Sequence, residues 1–221
     1  LGGAVASGDI NGDGRADLLI SASSKVLVYY GGPSFASGAS TPVSVNSPDV
    51  TFTSTASGFG KAIAVLGDVN GDGIAELAIG APNAVVGSNA DSGTVYIVKG
   101  TAKGTVNLAA ATPPADLIVK LNGLSLFDRF GAAIVPVGDV DGDGKADFAV
   151  SANLADVNSD DMGGKVYLFK GKDINASTTL AASTAFNGYM IDQSYGSLLA
   201  PAGAGRLLIG GPTAGMNTGG V

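Results

Sequence analysis

Three stretches of the 221-residue chain carry oxygen donors at one fixed spacing: Gly8-Asp-Ile-Asn-Gly-Asp-Gly-Arg-Ala-Asp17, Gly67-Asp-Val-Asn-Gly-Asp-Gly-Ile-Ala-Glu76 and Gly138-Asp-Val-Asp-Gly-Asp-Gly-Lys-Ala-Asp147. Counted from the first Asp, side-chain oxygens fall at positions 1, 3, 5 and 9, and the main chain can add a carbonyl at position 7. Such a set of hard oxygens suits Ca²⁺, which takes about 6 to 8 of them at about 2.3–2.6 Å. The assignment is Asp9, Asn11, Asp13, the Arg15 carbonyl and Asp17 for the first loop. The second takes Asp68, Asn70, Asp72, the Ile74 carbonyl and Glu76, and the third Asp139, Asp141, Asp143, the Lys145 carbonyl and Asp147. Paired glycines, as at Gly12 and Gly14, permit the sharp turn that aims these oxygens inward.

A helical calcium loop opens with nearly the same residues but needs a bidentate Glu at position 12 and a helix on each side. Position 12 is Ile20, Ile79 or Val150, each β-branched and inside an apolar run, so a hairpin between two strands is expected. The bland reading is an Asp/Gly turn without an ion. Three gapless copies argue against it, as does the crowding of four acids in the third loop with no Lys or Arg side chain among the ligands.

The elements that must hold these loops repeat with them. The copies are spaced by 59 and 71 residues, and a fourth, degenerate copy runs through Tyr195-Gly196 and Leu207 to Pro212, its acidic loop reduced to Pro201-Ala-Gly-Ala-Gly205. Short β-type runs bounded by Gly, Asn, Asp and Pro recur, as in Lys61 to Leu66, Glu76 to Ile79, Thr94 to Val98 and Asp116 to Leu121. The third run of each unit is closed by Gly31, Gly100 or Gly171. Four strands per period of about 60 residues is the arithmetic of a β-propeller of four-stranded antiparallel blades. The expected repeats are 1–57, 58–128, 129–193 and 194–221, the last incomplete and without a calcium loop. About three and a half blades are therefore expected, and since a propeller closes with about four or more, the chain is read as part of a longer polypeptide.

Composition narrows the function classes. The chain is 45% hydrophobic and 14% charged, which allows real cores. It has no run of about 20 apolar residues that would span a bilayer, and Leu1 to Ile10 lacks the order of a signal peptide. Ten of the nineteen acids lie in the three loops, so the net charge of −7 reflects the loops more than any partner. There is no basic stripe, and nucleic acid is not an expected ligand. Without Cys there are no disulfides, and with neither Cys nor His present and every tight carboxylate cluster already assigned to metal, no catalytic constellation stands out. No enzyme activity is expected.

Phe59-Gly60 and Gly80-Ala81-Pro82, flanking the second loop, together with the weaker Phe130-Gly131, Ser151-Ala152-Asn153, Tyr195-Gly196 and Gly210-Gly211-Pro212, resemble the FG-GAP repeats of the integrin α-subunit propeller. The resemblance covers the whole chain. It implies a propeller of typically seven blades, calcium in the hairpin between the first two strands of a blade, an extracellular or cell-surface location, and recognition by loops on the opposite face. The missing cysteines fit a bacterial or other cysteine-free member.

The expected function is thus a calcium-stabilised binding or adhesion module. Its calcium is structural, and a protein or glycan ligand meets the variable loops Asn83 to Ser92 and Asn153 to Gly163. The alternatives are a non-catalytic propeller attached to an enzyme domain outside this chain, as in phospholipases that carry such a propeller, and a subunit of a surface lattice or filament. The remaining blades would come from the same polypeptide or another copy. Asp156, Asn158, Asp160 and Asp161 imitate a calcium loop, but their glycines do not follow the pattern, and a solvated acidic loop is expected. Phe59, Phe130 and Tyr195 are expected as wedges between blades.

Overall fold

The computed structural model describes residues 3–32, 47–157, 162–188, 194–202 and 206–211. The first sheet is built from β1 (Val5–Gly8), β2 (Asp17–Ala22), β3 (Lys25–Tyr29) and β4 (Val50–Thr53). The second unit contributes β5 (Ala62–Gly67), β6 (Glu76–Ala81), β7 (Thr94–Lys99), β8 (Gly104–Asn107) and β9 (Leu117–Asn122). The third contributes β10 (Phe130–Gly138), β11 (Asp147–Ala152), β12 (Lys165–Phe169) and β13 (Thr184–Asn187), and a two-stranded sheet of β14 (Leu198–Pro201) and β15 (Leu207–Gly210) follows.

Each unit is an antiparallel meander, and the glycine before each acidic loop stands opposite the last acid of that loop: Gly8 with Asp17, Gly67 with Glu76, Gly138 with Asp147. Every loop is thereby clamped at the same rung. The second strands β6 and β11 are buried along their whole length. They are consequently apolar at nearly every position instead of alternating, as strands covered on both faces must be. One core cluster joins the first and second sheets, including Leu19, Phe52, Ile79 and Tyr96. Another joins the second and third through Ile97, Leu121, Phe130 and Phe169, and a smaller one joins the third to β14–β15. Blades of one propeller stacked side by side produce this alternation of sheet and core.

The Phe-Gly pair is where a blade meets the blade before it. Within its own blade Phe59 packs edge-on to Tyr96 of β7, with ring centroids 5.6 Å apart, and Phe130 repeats this on Tyr167 of β12 at 5.6 Å. A Cβ on Gly60 would stand 3.1 Å from Ser21 Cβ, and one on Gly131 only 2.8 Å from Val95 Cγ2, each in the preceding sheet.

The four-stranded antiparallel blade is present in all three units, and the first sheet gains a fifth strand from outside its own unit. Strand β8, from the connection between β7 and β9, leaves its own blade and pairs in parallel with β4, Val50 facing Gly104 and Thr53 facing Asn107. Leu108 then donates its N–H to the Thr53 carbonyl at 2.8 Å, and Val106 and Leu108 enter the first core. In the third unit the equivalent connection forms two short 3₁₀ turns that bury Ile174 and Leu180 against the second blade. Each of these two connections straps its blade to the preceding one. Residues 158–161, 203–205 and 212–221, which include most of the imitation calcium loop, Gly203 to Gly205 of the degenerate fourth loop and the final Gly219-Gly220-Val221, lie outside the described residues. No described helix is long and apolar enough to cross a membrane.

Candidate metal centres

The three loops close in the same way. Asp9 Oδ1 accepts the Gly12 and Asp13 N–H groups at 2.8 and 3.1 Å, and its Oδ2 accepts that of Gly14 at 2.8 Å. Asp68 receives Gly71, Asp72 and Gly73, and Asp139 receives Gly142, Asp143 and Gly144, in the same positions. The fifth position follows suit: Asp13, Asp72 and Asp143 each accept the N–H two residues on, from Arg15, Ile74 and Lys145. Three amides can converge on one carboxylate only if the turn residues reach positive φ. The loop glycines do so, with φ of +77° at Gly12 and +82° at Gly14.

The ninth position is buried at the base of each loop. Asp17 accepts the Ile10 N–H at 2.8 Å and the Gly31 N–H at 2.6 Å, and Asp147 accepts those of Val140 and Gly171, both at 2.8 Å. It ties the loop to the glycine that ends the third strand. Glu76, one methylene longer, accepts the matching Val69 N–H at 3.1 Å but takes the Asn70 side-chain amide at 2.8 Å as its second partner. Burial, with Asp72 and Asp68 adding like charge, pushes its carboxyl up to about 7, against the opposing pull of the Val69 amide.

The donor set fits calcium best in the third loop, where Asp139, Asp141 and Asp147 offer carboxylate oxygens that all lie within 4.8 Å of one another. Oxygens on opposite sides of an ion at about 2.4 Å stand about that far apart. In the first two loops Asn11 and Asn70 occupy the third position, each with its side-chain oxygen on the N–H of the following Asp, at 3.0 and 2.8 Å. Asp143 and the carbonyl-bearing Arg15, Ile74 and Lys145 lie on the same turns, at or near the surface.

Sequence reasoning missed two groups. The third loop is not free of cations: Lys170 and Lys172 place their Nζ atoms 3.1 and 2.5 Å from Asp141 Oδ2. Lys172 first and Lys170 second hold the Asp141 carboxyl down at about 2. The like-charge argument against a metal-free loop is thus weaker there than the acid count implies. The flanking of Gly171 by two lysines was the available signal, since Gly31 and Gly171 both donate to the last acid of their loop.

The second omission is that neighbouring loops touch. A Cβ on Gly100 would lie 2.2 Å from the Ile10 carbonyl oxygen and 2.3 Å from that of Ala75, so this glycine is wedged between the first and second loops. Gly171 has the same place between Val69 and Ala146, and Ala146 donates its N–H to the Asp68 carbonyl at 2.8 Å.

A family model described as FG-GAP repeat matches residues 1–33, 59–98 and 130–169. The chain is 35% identical over 176 residues to integrin alpha-V of Gallus gallus, covering 78% of this chain and 15% of that protein. Integrin alpha-8 of Gallus gallus is 30% identical over 220 residues, 95% of this chain and 18% of that one. Phosphatidylinositol-glycan-specific phospholipase D of Rattus norvegicus is 30% identical over 166 residues, 70% and 19% respectively. The chain therefore spans less than a fifth of the length of these relatives.

Proposed function

The chain belongs to the FG-GAP repeat family, and from that premise we propose that it is a calcium-stabilised extracellular binding module whose ions are structural. The observation that carries this reading is the same loop built three times, clamped at the same strand rung with the same amides on the same acids. Calcium would be held by Asp9, Asn11, Asp13, the Arg15 carbonyl and Asp17, and by the matching residues of the other two loops. When bound it supplies charge neutralisation and a crosslink between the two strands of each hairpin. Extracellular calcium is concentrated enough to fill weak loop sites, which supports a cell-surface location.

Calorimetric titration is expected to give three ions per chain, falling to two in Asp72→Ala, which removes a central donor and leaves the strands intact. Uptake unchanged by that substitution, or no uptake by the native chain, would overturn the reading.

The ligand is proposed to meet the other end of the sheets. In an antiparallel meander the β6–β7 and β11–β12 connections leave the end of the sheet away from the acidic hairpins, which supports this reading for 83–92 and for the described residues of 153–163. That edge exposes Val85, Leu124, Phe127 and Met162. Phe127, Arg129 and Met162 hold left-handed φ of +65°, +56° and +57°, a costly conformation that tends to collect at recognition sites. On a panel of protein and glycan ligands, substitutions within 83–92 or 153–163 should abolish binding and leave melting and calcium content unchanged. Loss of binding from a metal-loop variant of native stability would instead make calcium part of the ligand contact. The match to a phospholipase favours one second reading, a propeller serving an enzyme domain elsewhere in a longer protein.

A further inference from the structure

We propose that Lys172, with Lys170 beside it, is a built-in cation of the third loop that neutralises Asp141 when calcium is absent and is displaced when calcium binds. The inference rests on the calcium reading above and concerns how one loop differs from the other two.

The difference is internal to the chain. Position 3 is a neutral Asn in the first and second loops and becomes an acid, Asp141, in the third. The residue after the strand-ending glycine is Gly32 in the first blade, Thr101 in the second and Lys172 in the third. The one loop with a fourth carboxylate is thus the one with a lysine at that place. Strand register makes the comparison secure, since Leu18 faces Tyr29, Leu77 faces Val98 and Phe148 faces Phe169.

Geometry puts the ammonium on a carboxylate that a metal would also use. Lys172 Nζ donates to Asp141 Oδ2 at 2.5 Å, Lys170 Nζ lies 3.1 Å from the same atom, and Asp141 is one of the three acids whose oxygens converge. Asp143 and, on the lysine's own turn, Asp173 add negative charge around Lys172, while Lys145 reaches toward Gly71 of the second loop. A divalent ion among these acids would repel both ammonium groups and compete for the carboxylate they share. Both lysine stems are flexible and partly exposed, so the heads can swing into water at small cost. Two consequences have opposite signs. Without calcium the third loop keeps its shape better than its acid count allows, and with calcium it binds more weakly than four carboxylates would otherwise provide.

The test uses the full chain, with Lys172→Met and Lys170→Met/Lys172→Met, which keep much of the apolar stem. Calcium calorimetry should show tighter binding at one of three sites, by about threefold in the single variant and about tenfold in the double, as expected for partly exposed pairs. In EDTA the same variants should melt at a lower temperature than the native chain. Acetylation of native lysines followed by mass spectrometry should find Lys172 labelled faster once calcium is added. Three-ion uptake with unchanged affinity in both variants, or with calcium-insensitive labelling of Lys172, overturns this inference and leaves the calcium reading standing. Failure of the native chain to bind calcium overturns both.

Discussion

Excess EDTA is expected to lower the melting temperature of the chain by about 20 °C at pH 7.5. An ion present at about a hundred times its dissociation constant stabilises the folded state by about 2.7 kcal/mol, so three sites give about 8 kcal/mol. For a domain of this size each kcal/mol moves the midpoint by about 2–4 °C. The effect should shrink at pH 5, and Glu76 sets the sign. Its folded-state carboxyl is raised from about 4.5 to about 7, so between those values the metal-free fold holds a proton that the unfolded chain has released. Stability of the metal-free protein then falls as pH rises through that window. Calcium needs the ionised carboxylate, so its contribution grows over the same range. Asp139 and Asp141 are shifted downward, by the Gly144 amide and by Lys172 respectively, and act only at lower pH. A midpoint that ignores EDTA at pH 7.5 would remove the structural role assigned to the ions.

Gly100→Ala should cost about 3 kcal/mol and weaken calcium at two loops together. The added methyl would sit 2.2 and 2.3 Å from the backbone oxygens of Ile10 and Ala75, and neither can turn aside as a side-chain tip could. Overpacking of a rigid site costs about 1–3 kcal/mol or more. Both oxygens belong to acidic loops, so the strain must be taken up by moving one loop away from the other. Gly32→Ala, one residue past Gly31, the glycine that matches Gly100, and with nothing within 4 Å of the new methyl, is the control and should change little. Chemical denaturation and calcium titration of both variants check this. Equal stability of the two would show that the loops do not bear on each other through Gly100.

Much of this arrangement was legible in the chain because local chemistry decides it. A run of Asp and Gly at fixed intervals can close only as a turn with its carboxylates drawn inward. Ile79 and Val150 could not belong to helical calcium sites, and Leu77 to Ala81, apolar throughout, marks a strand covered on both faces. What was not legible depends on partners distant in sequence. Strand β8 reads Gly-Thr-Val-Asn, with one apolar residue and no periodicity, and becomes a strand only because β4 offers an unpaired edge. Lys172 is an ordinary surface lysine until the strand register sets it over Asp141, 31 residues away. Gly100 and Gly171 were read as strand ends, and their closer constraint comes from the backbone of an adjoining loop.

The fifth strand of the first sheet also changes what counts as a severable piece of this protein. Sequence periodicity places a border near residue 57, but the hydrogen bonds that complete the first blade come from Gly104 to Leu108. A fragment ending at that border would present β4 as a bare edge, open to pairing with any strand that meets it. Hydrogen exchange at Val50 to Thr53 would then report on the integrity of the second blade as much as the first, because protection there is lent by a neighbour. The hydrogen-bonded sheet and the repeat unit are out of step by one strand, which should tie unfolding of one blade to disturbance of the next.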